Sequence, residues 1–183
     1  MLIRHHEPLG NRIKKRQNPL PDNWEELVSR VGDTPKNFGI VEQGRLYRSG
    51  IVWPHHIMPL KEKYGIGHFI SLMEGDWLSQ FYDNPSISIH QFPISRRDAL
   101  TFERVKNIVD AIDGFDEPAI VFCRRGATRT GMVCAGYQII HGRRTRLGAV
   151  LENMAHWNFN LSSIREILRY TANTSGEIRN GAY

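Results

Sequence analysis

Eleven consecutive residues concentrate the reactive chemistry of this 183-residue chain: Val121-Phe-Cys-Arg-Arg-Gly-Ala-Thr-Arg-Thr-Gly131. Residues 119–122, Ala-Ile-Val-Phe behind Pro118, read as a short, fully buried strand, and a helix begins at about Thr128. A loop that leaves a strand and enters a helix gathers backbone N–H groups around one small space, and the positive end of the helix dipole adds to them. The backbone of Arg124, Arg125, Gly126, Ala127, Thr128 and Arg129 would thus form an anion cradle, with Gly126 permitting the tight turn. At the bottom of that cradle Cys123 would have a depressed pKa, because the same dipoles and Arg129 stabilise its thiolate. The planar fork of Arg129 holds two phosphate oxygens at once and follows charge as it develops on them. A thiolate beside a bound phosphate is placed for nucleophilic displacement.

Competing readings of nearby residues carry less. Gly126 to Gly131 has the G-x-x-x-x-G form of a nucleotide-binding loop, but Met132-Val133 stand where Lys and Ser or Thr are required. Cys134 falls inside the helix and reads as a small core side chain. The eight histidines include no H-x-x-x-H pair, so neither a metal site nor a cofactor is expected. Six arginines and no carboxylate occur between residues 124 and 146. Arg143, Arg144 and Arg146 read as a solvated basic patch, whereas Arg124 and Arg125 belong to the loop itself. A basic rim there favours a substrate with more than one phosphate.

The elements that must position this loop follow from hydrophobic period and turn chemistry. Residues 38–42 and 46–49, joined by Gln43-Gly44, predict a β-hairpin. Residues 55–64 predict a helix ending at Gly65, and residues 68–73 and 87–94 predict strands. Apolar positions 105, 108, 109 and 112 mark a helical face over 100–112. After the loop helix come two more, with apolar positions 147, 150, 151 and 154, then 161, 164, 167 and 168. The fold class is α/β, a small mixed sheet flanked by helices with a helix-rich carboxyl half.

Charge divides the chain. Residues 1–16 hold five basic groups against Glu7, while the remainder carries 19 basic and 18 acidic residues. Residues 1–22 therefore read as a basic tail or strap, with a short helix over 22–28, and residues 23–183 as one domain. The tail lacks interleaved aromatics, which argues against nucleic-acid binding. No apolar run reaches the roughly 18 residues of a membrane span, and no secretory signal is expected at the amino terminus. Two cysteines cannot build a disulfide framework, which points to a reducing, cytoplasmic setting.

Cys-X5-Arg between strand and helix, followed by Thr130-Gly131, resembles the signature of the cysteine-dependent protein tyrosine phosphatase superfamily. Asn37-Phe-Gly-Ile-Val-Glu and Leu46-Tyr-Arg-Ser-Gly are similar to the opening hairpin of the atypical dual-specificity phosphatases of plants, fungi and bacteria. The resemblance spans residues from roughly 36 to 172. It implies that Cys123 is the nucleophile of a phosphocysteine intermediate and that Arg129 binds phosphate. Thr130 matches the hydroxyl residue that assists the departing thiolate. Pro93-Ile-Ser-Arg-Arg-Asp98 sits where that superfamily carries its general acid, with Asp76 or Glu74 as alternatives. Asp98 also reads as a cap or solvated charge ahead of the 100–112 helix. Phe122 replaces the family's usual His, which implies a higher cysteine pKa and a slower enzyme. The favoured function is a metal-independent phosphomonoester hydrolase acting on an inositol polyphosphate or phosphoinositide. The alternatives are a tyrosine or dual-specificity protein phosphatase, or a phosphate-binding pseudophosphatase that docks phosphorylated partners without turnover.

Overall fold

The computed structural model describes residues 32, 34–75, 85–95, 100–156 and 160–168, all within the compact unit Val31–Tyr183. The expected hairpin is present: β1 (Gly39–Glu42) runs antiparallel to β2 (Leu46–Ser49), with Gly39 opposite Arg48. Helix α1 (Pro54–Tyr64) opens on a proline and closes through left-handed Gly65. Then follow β3 (His68–Ser71), β4 (Ser88–Gln91), α2 (Phe102–Asp113) and β5 (Ala119–Phe122). Helices α3 (Thr128–Ile140), α4 (Arg146–Ala155) and α5 (161–168) complete the described chain. The tail, the 22–28 helix and residues 77–82 lie outside the described residues.

The strands form one five-stranded mixed sheet in the order β1-β2-β5-β3-β4, antiparallel at β1–β2 and parallel elsewhere. The central strand β5 carries no polar side chain because both of its faces are covered. Ala119 and Val121 join the core beneath α2, α3 and α4, while Ile120 and Phe122 join a second core beneath α1. Strand alternation thus sends Phe122 into the α1 layer and Cys123 to the opposite side. β3 is shorter than expected, although Leu72 N–H still reaches Phe122 O at 2.9 Å. No helix among the described residues is long and apolar enough to cross a membrane.

The last two helices bury only part of the face their apolar spacing suggests: Val150, Met154, Ile164 and Ile167 meet the core. In α4, Leu147 and Leu151 are exposed and Ala149, Val150 and Asn153 are buried. In α5, Leu161 and Leu168 are exposed while Ser163 and Ile167 are buried. Small Ala149 lets α4 approach the core closely. Asn153 is turned inward, with its side-chain oxygen 3.5 Å from the buried Arg48 guanidinium.

Candidate active site

The loop between β5 and α3 rests directly on the end of β2. Gly126 adopts φ +68°, and a Cβ there would lie 2.5 Å from both Gly50 N and Ser49 C. Only glycine meets both demands. Cys123, 3% exposed, forms part of the floor of a cleft of about 910 Å³. Burial pushes its thiol pKa up. The Thr130 hydroxyl, the backbone N–H groups of Thr130 and Arg125, and the charge of Arg129 outweigh that effect and hold the thiol below its ordinary value. Thr130 Oγ1 is buried without a conventional hydrogen-bond partner, which leaves its O–H free to face the cysteine sulfur. Phe122 makes no contribution to this balance, so the thiol is acidified without a histidine at that position.

Arg129 is fixed from its far nitrogen. Nη1 donates to Leu72 O at 3.0 Å and Ile94 O at 2.8 Å, the chain ends just past β3 and β4. Nε and Nη2 remain for an anion in the cleft, which Arg129 lines. Exposed Arg124 and Arg125, with Lys36, make the basic part of the rim; α5 contributes Ser162, Ser163 and Glu166 on another wall. Ile94, Leu100 and Met132 add apolar surface.

The underside of the loop is gripped by residues far away in sequence. Arg48, 1% exposed, donates from Nη2 to Gly126 O at 2.6 Å. Asn37 Nδ2 faces Arg125 O at 3.2 Å, Gly126 O at 3.0 Å and His156 O at 3.2 Å. His156 Nδ1 meets Asn37 Oδ1 at 2.9 Å. Sequence reasoning missed these three as site residues. An arginine within the hairpin strand Leu46–Ser49 was a signal for Arg48; nothing local marks His156.

The structure therefore gathers Cys123, Arg124, Arg125, Gly126, Ala127, Thr128, Arg129 and Thr130 into one loop and helix start. Asp98 and Asp76 lie outside the described residues. Glu74 is exposed in the turn after β3 and is not part of the cleft lining. Thr101 caps α2, accepting from Arg104 N, so that helix does not take Asp98 as its N-cap. Arg143, Arg144 and Arg146 are exposed, as expected of a solvated basic patch, and two of them make surface ion pairs: Arg143 with Glu42 at 2.7 Å and Arg144 with Glu152 at 3.2 Å. Cys134 is a core side chain whose thiol burial pushes up to about 11. Among the described residues no group of three or more His, Cys, Asp or Glu is arranged to hold a metal ion.

The family model described as PTP-SAK, Swiss Army Knife protein, DSP-PTPase phosphatase domain, matches residues 35–177. The chain belongs to this family. It is a cysteine-dependent phosphatase of the dual-specificity type, and its substrates are phosphorylated. Solved structures show the same fold. The catalytic core of the PP-IP phosphatase SIW14 from S. cerevisiae, in complex with citrate, aligns with TM-score 0.65 at 18% identity, covering 80% of this chain and 92% of that one. P. aeruginosa TpbA aligns with TM-score 0.57 at 22% identity, covering 75% and 84%. Human DUSP28 aligns with TM-score 0.62 at 12% identity, covering 79% and 99%. TpbA is also represented by a cysteine variant in complex with pTyr. No curated protein matches the sequence.

Proposed function

We propose that this phosphatase is a metal-independent phosphomonoester hydrolase that works through a phosphocysteine intermediate, and that its substrate is an inositol polyphosphate or phosphoinositide. One observation carries the reading: an acidified Cys123 at the floor of a cleft rimmed by Lys36, Arg124 and Arg125. The Cys123 thiolate attacks phosphorus, forming the P–S bond as the ester P–O bond breaks. Arg129 Nε and Nη2, with the loop N–H groups, hold the equatorial oxygens through this step. Asp98 supplies the proton to the leaving oxygen. It lies in sequence between Ser95 and Leu100, both of which line the cleft. Water then attacks the phosphocysteine and returns a proton to Asp98; the new P–O bond forms as the P–S bond breaks, and the Thr130 hydroxyl donates to the departing thiolate.

The basic rim favours a ring carrying neighbouring phosphates, and Ser162, Ser163 and Glu166 on α5 suit its free hydroxyls. A phosphotyrosine or dual-specificity protein substrate is the second reading, favoured by the apolar surface of Ile94, Leu100 and Met132. A reducing, cytoplasmic setting keeps the Cys123 thiol available for either.

Phosphate release in EDTA, by wild type and Cys123→Ser, tests the proposal on an aryl phosphate, a phosphotyrosine peptide and inositol polyphosphates. Turnover is expected to survive the chelator, vanish in the variant and rank the inositol polyphosphates first. Arg125→Ala is expected to slow the polyphosphates more than the aryl monophosphate, and equal losses would count against the basic-rim argument. If wild type is inert on the whole panel yet binds the phosphorylated ligands, the docking pseudophosphatase is correct instead.

A further inference from the structure

A trans peptide plane carries its carbonyl and the following N–H on opposite edges, so whatever grips the carbonyl aims the N–H. The described chain contains no cis peptide bond. In the Cys123 loop, Arg125 O fixes the direction of Gly126 N–H, and Gly126 O that of Ala127 N–H. Gly126 O is held by both Arg48 Nη2 and Asn37 Nδ2, at 2.6 and 3.0 Å, but among the described residues the side chain that grips Arg125 O is Asn37 alone. We propose that Asn37, oriented by His156, is the positioning residue of the phosphate cradle: it turns the Arg125 and Gly126 carbonyls outward and so directs the Gly126 and Ala127 N–H groups at the bound phosphoryl oxygens. This inference rests on the proposed role of the Cys123 loop.

Several independent features of the chain converge on the same amide. Asn37 is the one described non-glycine residue at positive φ, +56°, a left-handed conformation that asparagine tolerates better than most side chains. Three carbonyl oxygens face one end of the amide, which assigns that end as Nδ2 and leaves Oδ1 toward the histidine. His156 Nδ1 must then carry a proton and donate it to Oδ1, which locks the amide against flipping. The imidazole stands over Gly39, where a Cβ would approach Cε1 to 2.9 Å, so β1 leaves room for the ring. Burial and the charge of Arg48 hold His156 below the ordinary histidine value, which favours the neutral ring. Asn37 Nδ2 also faces His156 O, so a single side chain joins the loop to the end of α4.

The test uses the full chain and needs no natural substrate. Asn37→Gly keeps the left-handed backbone and deletes the amide; Asn37→Asp keeps the shape but turns an acceptor toward three carbonyls. Three readouts separate positioning from mere structure: the pH profile of Cys123 alkylation by iodoacetamide, tungstate binding, and kcat against KM on an aryl phosphate. Loosening two oxyanion donors is expected to weaken tungstate ~10-fold and lower kcat ~10- to 100-fold. The alkylation inflection is expected to move to higher pH, with Asn37→Asp the more severe. His156→Gln, which still offers an N–H to Oδ1, is expected to fall between wild type and Asn37→Gly. If Asn37→Gly lowers Tm while tungstate affinity and the alkylation profile stay at wild-type values, the inference is overturned. Should that variant not fold, His156→Gln and Asn37→Asp give the same readouts. A wild type that binds no tungstate overturns the functional reading and this inference together, whereas a change of preferred substrate leaves this inference standing.

Discussion

At the scale of single residues, the ionisation of Cys123 governs what the site can do. Its thiol is held below the ordinary value, so the thiolate persists as pH falls and is lost only below that lowered pKa. Iodoacetamide inactivation is expected to rise with pH through an inflection below the ordinary thiol value of about 8.5. Thr130→Ala is expected to move that inflection upward, and an unmoved profile would remove the hydroxyl from the balance. Arg129→Lys is expected to lower kcat by at least ~10²-fold despite keeping the charge, because an ammonium has no planar fork. It also gives up the Nη1 bonds to Leu72 O and Ile94 O. Near-normal turnover by the lysine variant would sink the proposed phosphate clamp. The loop residues were legible in the sequence because their chemistry is local: strand, glycine and helix start fall within eleven positions. The grip on the loop was not, because Asn37 and Gly126 are 89 residues apart and only the folded sheet brings them together.

Among the elements, the catalytic loop depends on one glycine against the end of β2. Gly126→Ala must strain φ and displace the Ser49–Gly50 backbone, and is expected to cost more than ~1 kcal/mol of stability and most of the activity. Urea unfolding and aryl phosphate turnover check this; a variant as stable and active as wild type would show that the loop is not clamped there. The hairpin, α1, α2, α3 and β5 all formed where the sequence placed them; α2 buries the face set by its period, whereas β5 and most of α3 are buried all round. At α4 and α5 the patterns held in part: Val150, Met154, Ile164 and Ile167 pack on the core, while Leu147, Leu151, Leu161 and Leu168 look outward. Hydrophobic spacing locates a helix, but there the inward face includes Asn153 beside Arg48 and Ser163 at the cleft, polar roles that a hydrophobic count cannot register.

For the molecule as a whole, two histidines make stability depend on pH. His90 is held below the ordinary value by burial and then by His68, and His156 by burial and then by Arg48. The unfolded chain takes up protons at about pH 6.5 that the folded chain does not bind there. Stability is therefore complete above that pH and declines as acidification passes through it toward the lowered values. Urea midpoints between pH 8 and pH 5 are expected to fall. His90→Gln, whose amide still offers an N–H to His68 Nδ1, is expected to flatten the slope; identical slopes would exclude His90 from the effect. His90 and His68 sit against Phe115 near the start of β3, at the other end of the sheet from Cys123. The strand order has a temporal consequence as well. β5 is inserted between β2 and β3, which both precede it by many residues, so Leu46 and His68 each wait for Ala119 as their partner. A nascent chain that ends before β5 leaves two strand edges open to stray pairing. The groups that acidify Cys123 belong to the loop that leaves β5, so thiol reactivity is expected to serve as a chemical clock for the completion of folding.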